Sequence, residues 1–196
     1  MKKGLLIVLS GPSGVGKGTV RKQVFKNTDL NLSYSISMTT RKPREGEVHG
    51  QDYFFVSEER FLDAIKNDEL LEYAKFVGNY YGTPKAYVEK LREEGKNVFL
   101  EIEVEGAKKV LEDYKDDAGV LSIFLLPPSL HELEKRIRGR RTEPEEIIQE
   151  RLQKAKRELG LKKNYHFNVM NDNINRSSQE ICRIIDLKIK ANKYED

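Results

Sequence analysis

The sequence predicts an α/β protein with a central parallel sheet. Apolar runs of strand length alternate with helical patterns along most of the chain, which is typical of βαβ units. The run Val120–Leu126 is almost continuously apolar, which suits a strand covered on both faces. A chain of 196 residues is long enough for one well-buried domain, and no second core is evident. We therefore expect a single domain over residues 1–196 with a three-layer core.

The predicted elements follow one another in a regular order. Leu5–Leu9 is a short apolar run that predicts the first strand, and Lys17–Lys26 has the pattern of the first helix. Asn97–Ile102 and Val120–Leu126 predict later strands that lead into helix-like sequence, and Phe167–Met170 predicts the last strand. Isoleucines recur through the final stretch, which predicts a packing helix over residues 176–193.

Two regions interrupt this alternation. Between the first helix and Asn97, short alternating segments such as Tyr34–Met38 and Tyr53–Val56 are separated by turn residues, which predicts a smaller lobe of short strands. The stretch Arg138–Pro144 combines glycine, proline and charge between two helical segments. This combination predicts a mobile loop.

The composition excludes several classes of function. Charged residues make up 34% of the chain but the net charge is only +3, so we expect no nucleic-acid partner. The amino-terminal apolar run is too short for a signal segment or a membrane span, which predicts a cytoplasmic protein without a membrane partner. Cys182 is the single cysteine and is interpreted as a small buried hydrophobe. The three histidines lack metal-ligand spacing.

Residues Gly11–Gly18 read Gly-Pro-Ser-Gly-Val-Gly-Lys-Gly and stand between the first strand and the first helix. The pattern G-x-x-x-x-G-K predicts a phosphate-binding loop, because unpaired N–H groups at a helix start attract an anion and Lys17 adds a mobile charge. The alternative, a tight turn with a surface lysine, does not explain four glycines in eight positions. One departure is Gly18, where the pattern has Ser or Thr; Thr19 follows one place later. The predicted residues are Gly11, Pro12, Ser13, Gly14, Val15, Gly16, Lys17, Gly18 and Thr19.

The lobe contains a second candidate phosphate site. Arg41 and Arg44 lie three apart beside Pro43, so two planar guanidinium groups could grip one phosphate, and Tyr53 could add a hydroxyl. Spacing alone leaves a solvated basic turn as an equal alternative.

Several separated motifs, in this order, resemble the guanylate kinases, which transfer a phosphoryl group from ATP to GMP. They cover nearly the whole chain: Gly11–Gly18, Ser37–Arg44, Gly50–Tyr53, Leu71–Ala74, Gly78–Thr83 and the arginine-rich stretch 136–151. The resemblance implies a core of 1–33, 95–135 and 158–196, a GMP-binding lobe of 34–94 and a mobile lid of 136–157. It also implies Mg²⁺ as a cofactor.

The resemblance implies which residues bind GMP. The phosphate would be held by Arg41, Arg44, Tyr53 and Tyr81, and the guanine would face Ser37, Glu72 and Thr83. Guanine presents N1–H and the 2-amino group as adjacent donors, and one carboxylate can accept from both, whereas adenine presents an acceptor at N1. Without the resemblance, Glu72 would be interpreted as an exposed glutamate beside a strand.

Two acids lie at the end of the predicted strand Asn97–Ile102. Glu101 and Glu103 are two apart, so their side chains are expected on one face, at the edge where open α/β sheets bind ligands. The family that the chain resembles usually has aspartates at these two positions. We expect one acid to organise the water shell of Mg²⁺, with Thr19 and Glu101 as possible metal contacts, and the other to position GMP or a basic side chain. Solvated acids at a strand end are the alternative.

The resemblance also implies a lid that closes over ATP. Arg136, Arg140 and Arg151 match its arginines and, with Lys17 and Arg41, form the expected catalytic set for direct in-line transfer. A basic nucleic-acid patch is the alternative for this region, but it lacks interleaved aromatic residues. Asn171 is expected near adenine, although asparagine is also an ordinary turn residue.

Two rival functions remain open at this point: a kinase for another nucleoside monophosphate, and a non-catalytic scaffold that binds proteins. Retention of Lys17 and the loop glycines favours a kinase. The expected substrates are ATP and GMP or dGMP, in purine nucleotide metabolism and GMP recycling. A monomer and a homodimer both fit the sequence.

Overall fold

The computed structural model describes residues 2–76, 78–139 and 144–194. The strands are β1 (Leu6–Ser10), β2 (Leu32–Tyr34), β3 (Met38–Thr39), β4 (Phe54–Phe55), β5 (Leu70–Phe76), β6 (Asn79–Pro84), β7 (Asn97–Glu101), β8 (Val120–Leu126) and β9 (Phe167–Met170). The α-helices are α1 (Lys17–Val24), α2 (Glu58–Lys66), α3 (Lys85–Glu93), α4 (Val104–Asp113), α5 (Leu130–Arg138), α6 (Glu145–Leu159) and α7 (Ile174–Tyr194). Short 3₁₀ helices cover Thr28–Leu30 and Lys162–Asn164.

Five parallel strands form the central sheet, in the order β2-β7-β1-β8-β9. Alternate side chains of β1 enter opposite clusters: Ile7 and Leu9 pack with α1, α5, α6 and α7, while Leu6 and Val8 pack with α3 and α4. Because both faces are covered, every residue of β1 is buried, which explains the continuous apolar runs in the sequence. The predicted α/β class with a central parallel sheet is confirmed.

A second sheet has four short strands in the order β4-β3-β6-β5. Its own small core contains Met38, Phe61, Ala64 and Leu70, so it packs mainly against α2. One predicted segment is divided between the sheets. The alternating stretch Tyr34–Met38 is not one strand: β2 ends at Tyr34 and pairs with β7 in the central sheet, whereas Met38 begins β3 in the second sheet. Alternation identifies a strand but does not identify its partner.

The amino ends of the central strands are closed by a buried arginine. Arg92 is 1% exposed and donates from Nη1 to Glu89 at 3.0 Å, from Nη2 to Asp117 at 2.8 Å, and from Nε to the carbonyl of Gly4 at 3.0 Å. The opposite, carboxyl ends of β1 and β7 open towards the phosphate-binding loop, which is where open α/β sheets bind ligands.

Two further expectations concern the burial of Cys182 and the presence of membrane-spanning helices. Cys182 is half-buried against the cluster that α7 shares with α1, rather than fully buried. No helix within the described ranges is both long and apolar enough to cross a membrane.

Candidate active site

The phosphate-binding loop, Gly11–Gly18, connects β1 to α1 in a conformation that depends on glycine. Gly11 and Gly16 have φ angles of 148° and 101°, which side-chain-bearing residues rarely adopt. A methyl group at Gly11 would lie 2.6 Å from the carbonyl oxygen of Leu125, and one at Gly16 would lie 2.7 Å from Nδ2 of Asn171. The loop is therefore folded tightly against the neighbouring strand ends.

Lys17 begins α1 and lies back over its own loop. Its Nζ donates to the carbonyl oxygens of Gly11 at 2.6 Å and Pro12 at 3.3 Å. Burial lowers the pKa of Lys17. Three carboxylates oppose that shift and favour the ammonium form: Glu103, Glu101 and Glu158. The ammonium is thus held in place by carbonyl dipoles, with negative charge nearby.

The two acids at the end of β7 and just beyond it, Glu101 and Glu103, have different neighbours. Glu101 is the last residue of the strand, and its Oε2 accepts from Nε of Arg21 at 2.7 Å. Glu103 lies beyond the strand at the N-cap of α4, and its Oε2 accepts from Nζ of Lys154 at 2.6 Å. Burial alone would raise the pKa of Glu103, but Lys154 brings it below its usual range. β7 ends at Glu101, so Glu103 lies outside the strand, yet both carboxylates act on Lys17.

Gly18 faces Glu101, and Thr19 faces elsewhere. A methyl group at Gly18 would lie 3.4 Å from Oε1 of Glu101, which is an ordinary contact distance. Thr19 instead lines a cleft of about 510 Å³ together with Asn171 and Arg136, and Glu101 is not among the residues that line it. The carboxylate of Glu101 therefore stands beside the position where the usual loop hydroxyl would project.

Arg136 and Asn171 form the wall of that cleft. Arg136 donates from Nη1 to the carbonyl of Val15 at 3.0 Å and from Nη2 to the carbonyl of Asn171 at 2.9 Å. The buried amide of Asn171 donates to the same Val15 oxygen at 2.8 Å and accepts from Ser177 at 3.0 Å. Both side chains hold the loop to the end of β9, a role that sequence analysis did not foresee.

Helix α6 contacts the loop with one face. Arg151 donates from Nη2 to Oγ of Ser13 at 2.9 Å. Lys154 and Glu158 follow at helical spacing on the same face, and Glu158 is only 5% exposed. Burial raises the pKa of Glu158, while Lys154 and the backbone of Ser13 oppose the shift. Sequence analysis missed Lys154 and Glu158, and their spacing from Arg151 is the signal that could have indicated them.

Glu72 and Thr83 meet on neighbouring strands of the second sheet. Thr83 donates from Oγ1 to Oε1 of Glu72 at 2.6 Å, and Glu72 is 9% exposed. Burial raises the pKa of Glu72, and the hydroxyl of Thr83 opposes the shift. A methyl group at Gly106 in α4 would lie 2.8 Å from the other carboxylate oxygen. Glu72 is therefore not the exposed strand-side glutamate that the sequence alone suggested.

The arginine turn after β3 brings several predicted residues together. Arg41 donates to both carboxylate oxygens of Glu47, at 2.9 Å and 3.0 Å, and its guanidinium lies 5.3 Å from the ring centre of Tyr53. The rings of Tyr53 and Tyr81 are 6.2 Å apart. Arg44 is exposed. Ser37 is partly buried, and its carbonyl accepts from the backbone N–H of Phe54 at 2.9 Å.

Two predictions concern features that the described residues do not supply. Arg140 lies outside the described residues, in the interval between Gly139 and Pro144. Within the described ranges, no three acidic, histidine or cysteine side chains are grouped so that they could hold a metal ion.

The fold is that of an α/β protein in which a glycine-rich loop follows the central strand of a parallel sheet and a second, smaller sheet carries a buried acid, Glu72. A family model described as Guanylate kinase matches residues 3–188. The chain belongs to the guanylate kinase family.

Individual relatives agree with the family match. The guanylate kinase of Mycoplasma capricolum subsp. capricolum is 57% identical over 188 residues, which are 96% of this chain but only 62% of that relative. The guanylate kinase of Bacillus anthracis is 56% identical over 94% of this chain and 88% of its own length. The crystal structure of guanylate kinase from Anaplasma phagocytophilum superposes with a TM-score of 0.71 at 33% identity, covering 95% of this chain and 87% of that one.

Proposed function

We propose that this protein is a guanylate kinase that converts ATP and GMP to ADP and GDP by direct in-line phosphoryl transfer with Mg²⁺. The observation that carries the proposal is the buried carboxylate of Glu72, held by Thr83 at 2.6 Å in the lobe beside the phosphate-binding loop. Burial disfavours the charge of this acid more strongly than Thr83 and Lys109 favour it, and a ligand with two adjacent N–H donors compensates that cost. Membership of the guanylate kinase family supports the same substrate.

Guanine is selected by the hydrogen-bond pattern around Glu72. Its carboxylate accepts from N1–H and the 2-amino group of guanine, while the Thr83 hydroxyl fixes one of its oxygens. Ser37 donates from its hydroxyl to O6 of the base. Adenine presents a lone pair at N1 and has no 2-amino group, so the acid would face an acceptor and be left partly unpaired. The donors of guanine favour the charged form of Glu72, against the effect of burial on its pKa.

The phosphate of GMP is held by the arginine turn. Arg41 and Arg44 supply guanidinium donors that match phosphate oxygens, and Tyr53 and Tyr81 add phenolic hydroxyls. The ring contact between Tyr53 and Tyr81, at 6.2 Å, brings these two hydroxyl-bearing side chains to one place. This division of labour assigns charge to the phosphate and hydrogen-bond pattern to the base.

The phosphates of ATP occupy the glycine-rich loop of residues 11–19. Lys17 exchanges the carbonyls of Gly11 and Pro12 for the outer phosphates, because an anion there compensates its burial better than carbonyl dipoles do. Arg151 approaches from α6, where its guanidinium already reaches Ser13. The adenine enters the cleft beside Asn171 and Arg136. Arg140 completes the arginine set of the lid.

The residues near Gly18 fit a hydrated Mg²⁺ ion. Hard cations prefer oxygen ligands, and the carboxylate of Glu101 supplies oxygens beside the position that lacks a loop hydroxyl. Thr19 lines the cleft beside Asn171 and Arg136, so Glu101 is the better candidate to hold a water of the metal shell. Arg21 fixes the orientation of the Glu101 carboxylate. When bound, Mg²⁺ neutralises charge on the donor phosphates.

Transfer requires alignment and charge neutralisation rather than a covalent intermediate. The attacking atom is an oxygen of the GMP phosphate, whose second ionisation lies near pH 6 by analogy with phosphoserine, so no general base is required at neutral pH. Arg41 orients that oxygen while Lys17 and the lid arginines compensate charge on the transferred group. Glu103 positions either GMP, the phosphoryl acceptor, or the Lys154 side chain that donates to it. Closure of lobe 34–94 and lid 136–157 excludes water and limits ATP hydrolysis.

The cellular role that follows is GMP recycling within purine nucleotide metabolism, in the cytoplasm. A protein-binding scaffold is the main rival function. Intact glycines and the desolvated ammonium of Lys17 favour catalysis over that role, because a scaffold has no use for a cation held inside the loop.

An acceptor panel tests the proposal. With ATP and Mg²⁺, we expect turnover of GMP and dGMP and poor use of AMP, CMP and UMP. Glu72→Gln should lower kcat/KM for GMP by about a hundredfold, because one charge-assisted acceptor becomes a donor. Glu59→Gln, on the exposed side of α2, is the matched control and should leave the ranking unchanged. Preference for AMP over GMP in the unmodified protein would refute the assignment.

A further inference from the structure

Glu47 and Arg41 form a two-point ion pair in the turn that follows β3. Nη2 of Arg41 donates to Oε1 at 2.9 Å, and Nη1 donates to Oε2 at 3.0 Å. The backbone N–H of Arg44 donates to Oε2 as well, at 2.7 Å. The two side chains are only 15% and 20% exposed, so the pair is partly shielded from solvent. These contacts keep the pKa of Glu47 below its usual range.

The backbone of this turn is built to return Glu47 to the arginine. The N–H of Glu47 donates to the carbonyl of Arg44 at 3.1 Å, which closes a four-residue turn. Gly46 has a φ of 85°, and nothing lies within 4 Å of where a side chain would begin, so glycine is needed for the backbone conformation and not for space. The turn therefore carries the carboxylate back to Arg41.

The donors that remain on Arg41 are arranged for a second anion. A guanidinium has five N–H groups in one plane. Glu47 accepts one from each Nη, and the carbonyl of Lys42 accepts the other from Nη1 at 2.9 Å. Nε–H and the second Nη2–H are taken by neither, and these two run parallel, as two-point binding of a phosphate requires. Glu47 and the phenol of Tyr81 both raise the pKa of this guanidinium, which keeps it charged.

We propose that Glu47 is a positioning residue for the acceptor phosphate: it fixes the Arg41 guanidinium so that its Nε and Nη2 edge is presented to GMP. This inference rests on the proposed function. Glu47 occupies the far edge of the guanidinium, so it orders the side chain without covering the edge that binds phosphate. An arginine ordered before binding loses less conformational entropy when the ligand arrives. The competing idea, that Glu47 occupies the phosphate site and blocks it, predicts the opposite effect of its removal.

The test compares Glu47→Gln with Glu45→Gln, which removes the same charge from an exposed position in the same turn. We expect Glu47→Gln to raise KM for GMP by about tenfold, because the amide cannot accept from both Nη groups and Arg41 loses its order. KM for ATP should change by no more than about twofold, since the donor site is untouched. Glu47→Asp retains a carboxylate and should recover part of the loss. Glu45→Gln should match the unmodified protein.

Four outcomes would overturn the inference. They are an unchanged KM for GMP in Glu47→Gln, a lower one as the blocking idea predicts, an equal rise in Glu45→Gln, and parallel rises for GMP and ATP. Thermal unfolding of each variant checks that the fold is kept, and Glu47→Asp decides the matter if the amide variant is unstable. Failure of the unmodified protein to phosphorylate GMP would instead refute the proposed function. Titration with inorganic phosphate would then still compare Glu47→Gln with Glu45→Gln.

Discussion

Two cations lie at opposite ends of the central sheet, the buried Arg92 and the partly buried Lys17, and their charges are compensated in different ways. At the amino ends, Arg92 donates to two carboxylates and a carbonyl, so neighbouring side chains compensate its charge. At the carboxyl ends, Lys17 donates to two carbonyl oxygens, while the nearby acids Glu101 and Glu103 bond to Arg21 and Lys154. The contacts of Arg92 stabilise the fold, whereas the ammonium of Lys17 can still bind an anionic ligand.

The difference indicates how stability and binding are separated in this fold. A buried charge stabilises only when partners compensate its desolvation, as they do around Arg92. Burial lowers the pKa of Lys17, which means that keeping it charged within the fold is unfavourable until an anion arrives. Substitutions at the amino ends should therefore alter stability and spare activity, and those at the carboxyl ends should do the reverse.

The largest expected effect is on catalysis. Lys17→Met keeps an unbranched side chain of similar length but removes its charge, and we expect kcat to fall by about a thousandfold, since the outer phosphates lose a preorganised cation. The melting temperature should stay the same or rise, because a desolvated charge is removed. Steady-state kinetics and thermal unfolding measure the two quantities. Lys22→Met, on the exposed side of the same helix, is the control. A large loss of stability with normal turnover in Lys17→Met would contradict the division between the two ends.

Arg92→Met should show the opposite behaviour. It removes the ion-pair partner of Asp117 and one of the two partners of Glu89, which keeps Lys3. We expect the free energy of unfolding to fall by about 2–3 kcal/mol, less than for a fully buried pair, because both acids reach solvent and Glu89 keeps one cation. Turnover per folded molecule should not change. Urea unfolding measures the loss, and Lys90→Met on the exposed side of α3 controls for the lost charge. If activity fell while stability held, Arg92 would have to act on the active site from the far end of the sheet.

Local patterns explain which parts of this molecule could be predicted. The loop from Gly11 to Gly18 is a contiguous motif, and β8 is an apolar run, so each is encoded in neighbouring residues. The resemblance to a family added Glu72, which spacing alone would have left as a surface residue; burial and the bond to Thr83 came only with the fold.

Residues that act through distant pairing escaped the sequence. Lys154 became visible only because α6 brings it to Glu103, which is 51 positions away. Glu103 itself was assigned a strand face, but its place at the start of α4 depends on where the strand stops. Such features depend on tertiary contacts, which periodicity does not report.

The smallest expected effect comes from Gly106, which packs against Glu72, the proposed acceptor of guanine N–H groups. Gly106 lies within α4, where glycine is less favourable than alanine by about 0.5–1 kcal/mol, so its presence calls for a reason. The reason is steric: a methyl group there would lie 2.8 Å from Oε2 of Glu72 and 3.2 Å from its Cγ. In Gly106→Ala the helix gains propensity, but the carboxylate that accepts from guanine must move.

We therefore expect Gly106→Ala to unfold at the same or a higher temperature while its KM for GMP rises by about tenfold, because the base is held by a displaced acceptor. KM for ATP should not change. Lys108→Ala, on the exposed side of the same helix, is the control for a substitution that does not face Glu72. A Gly106→Ala protein that is less stable but binds GMP normally would mean that the displaced group is structural. Glu72 would then stabilise the fold rather than bind GMP. The contrast between a stabilising end and a ligand-binding end of the sheet would then rest on Arg92 and Lys17 alone.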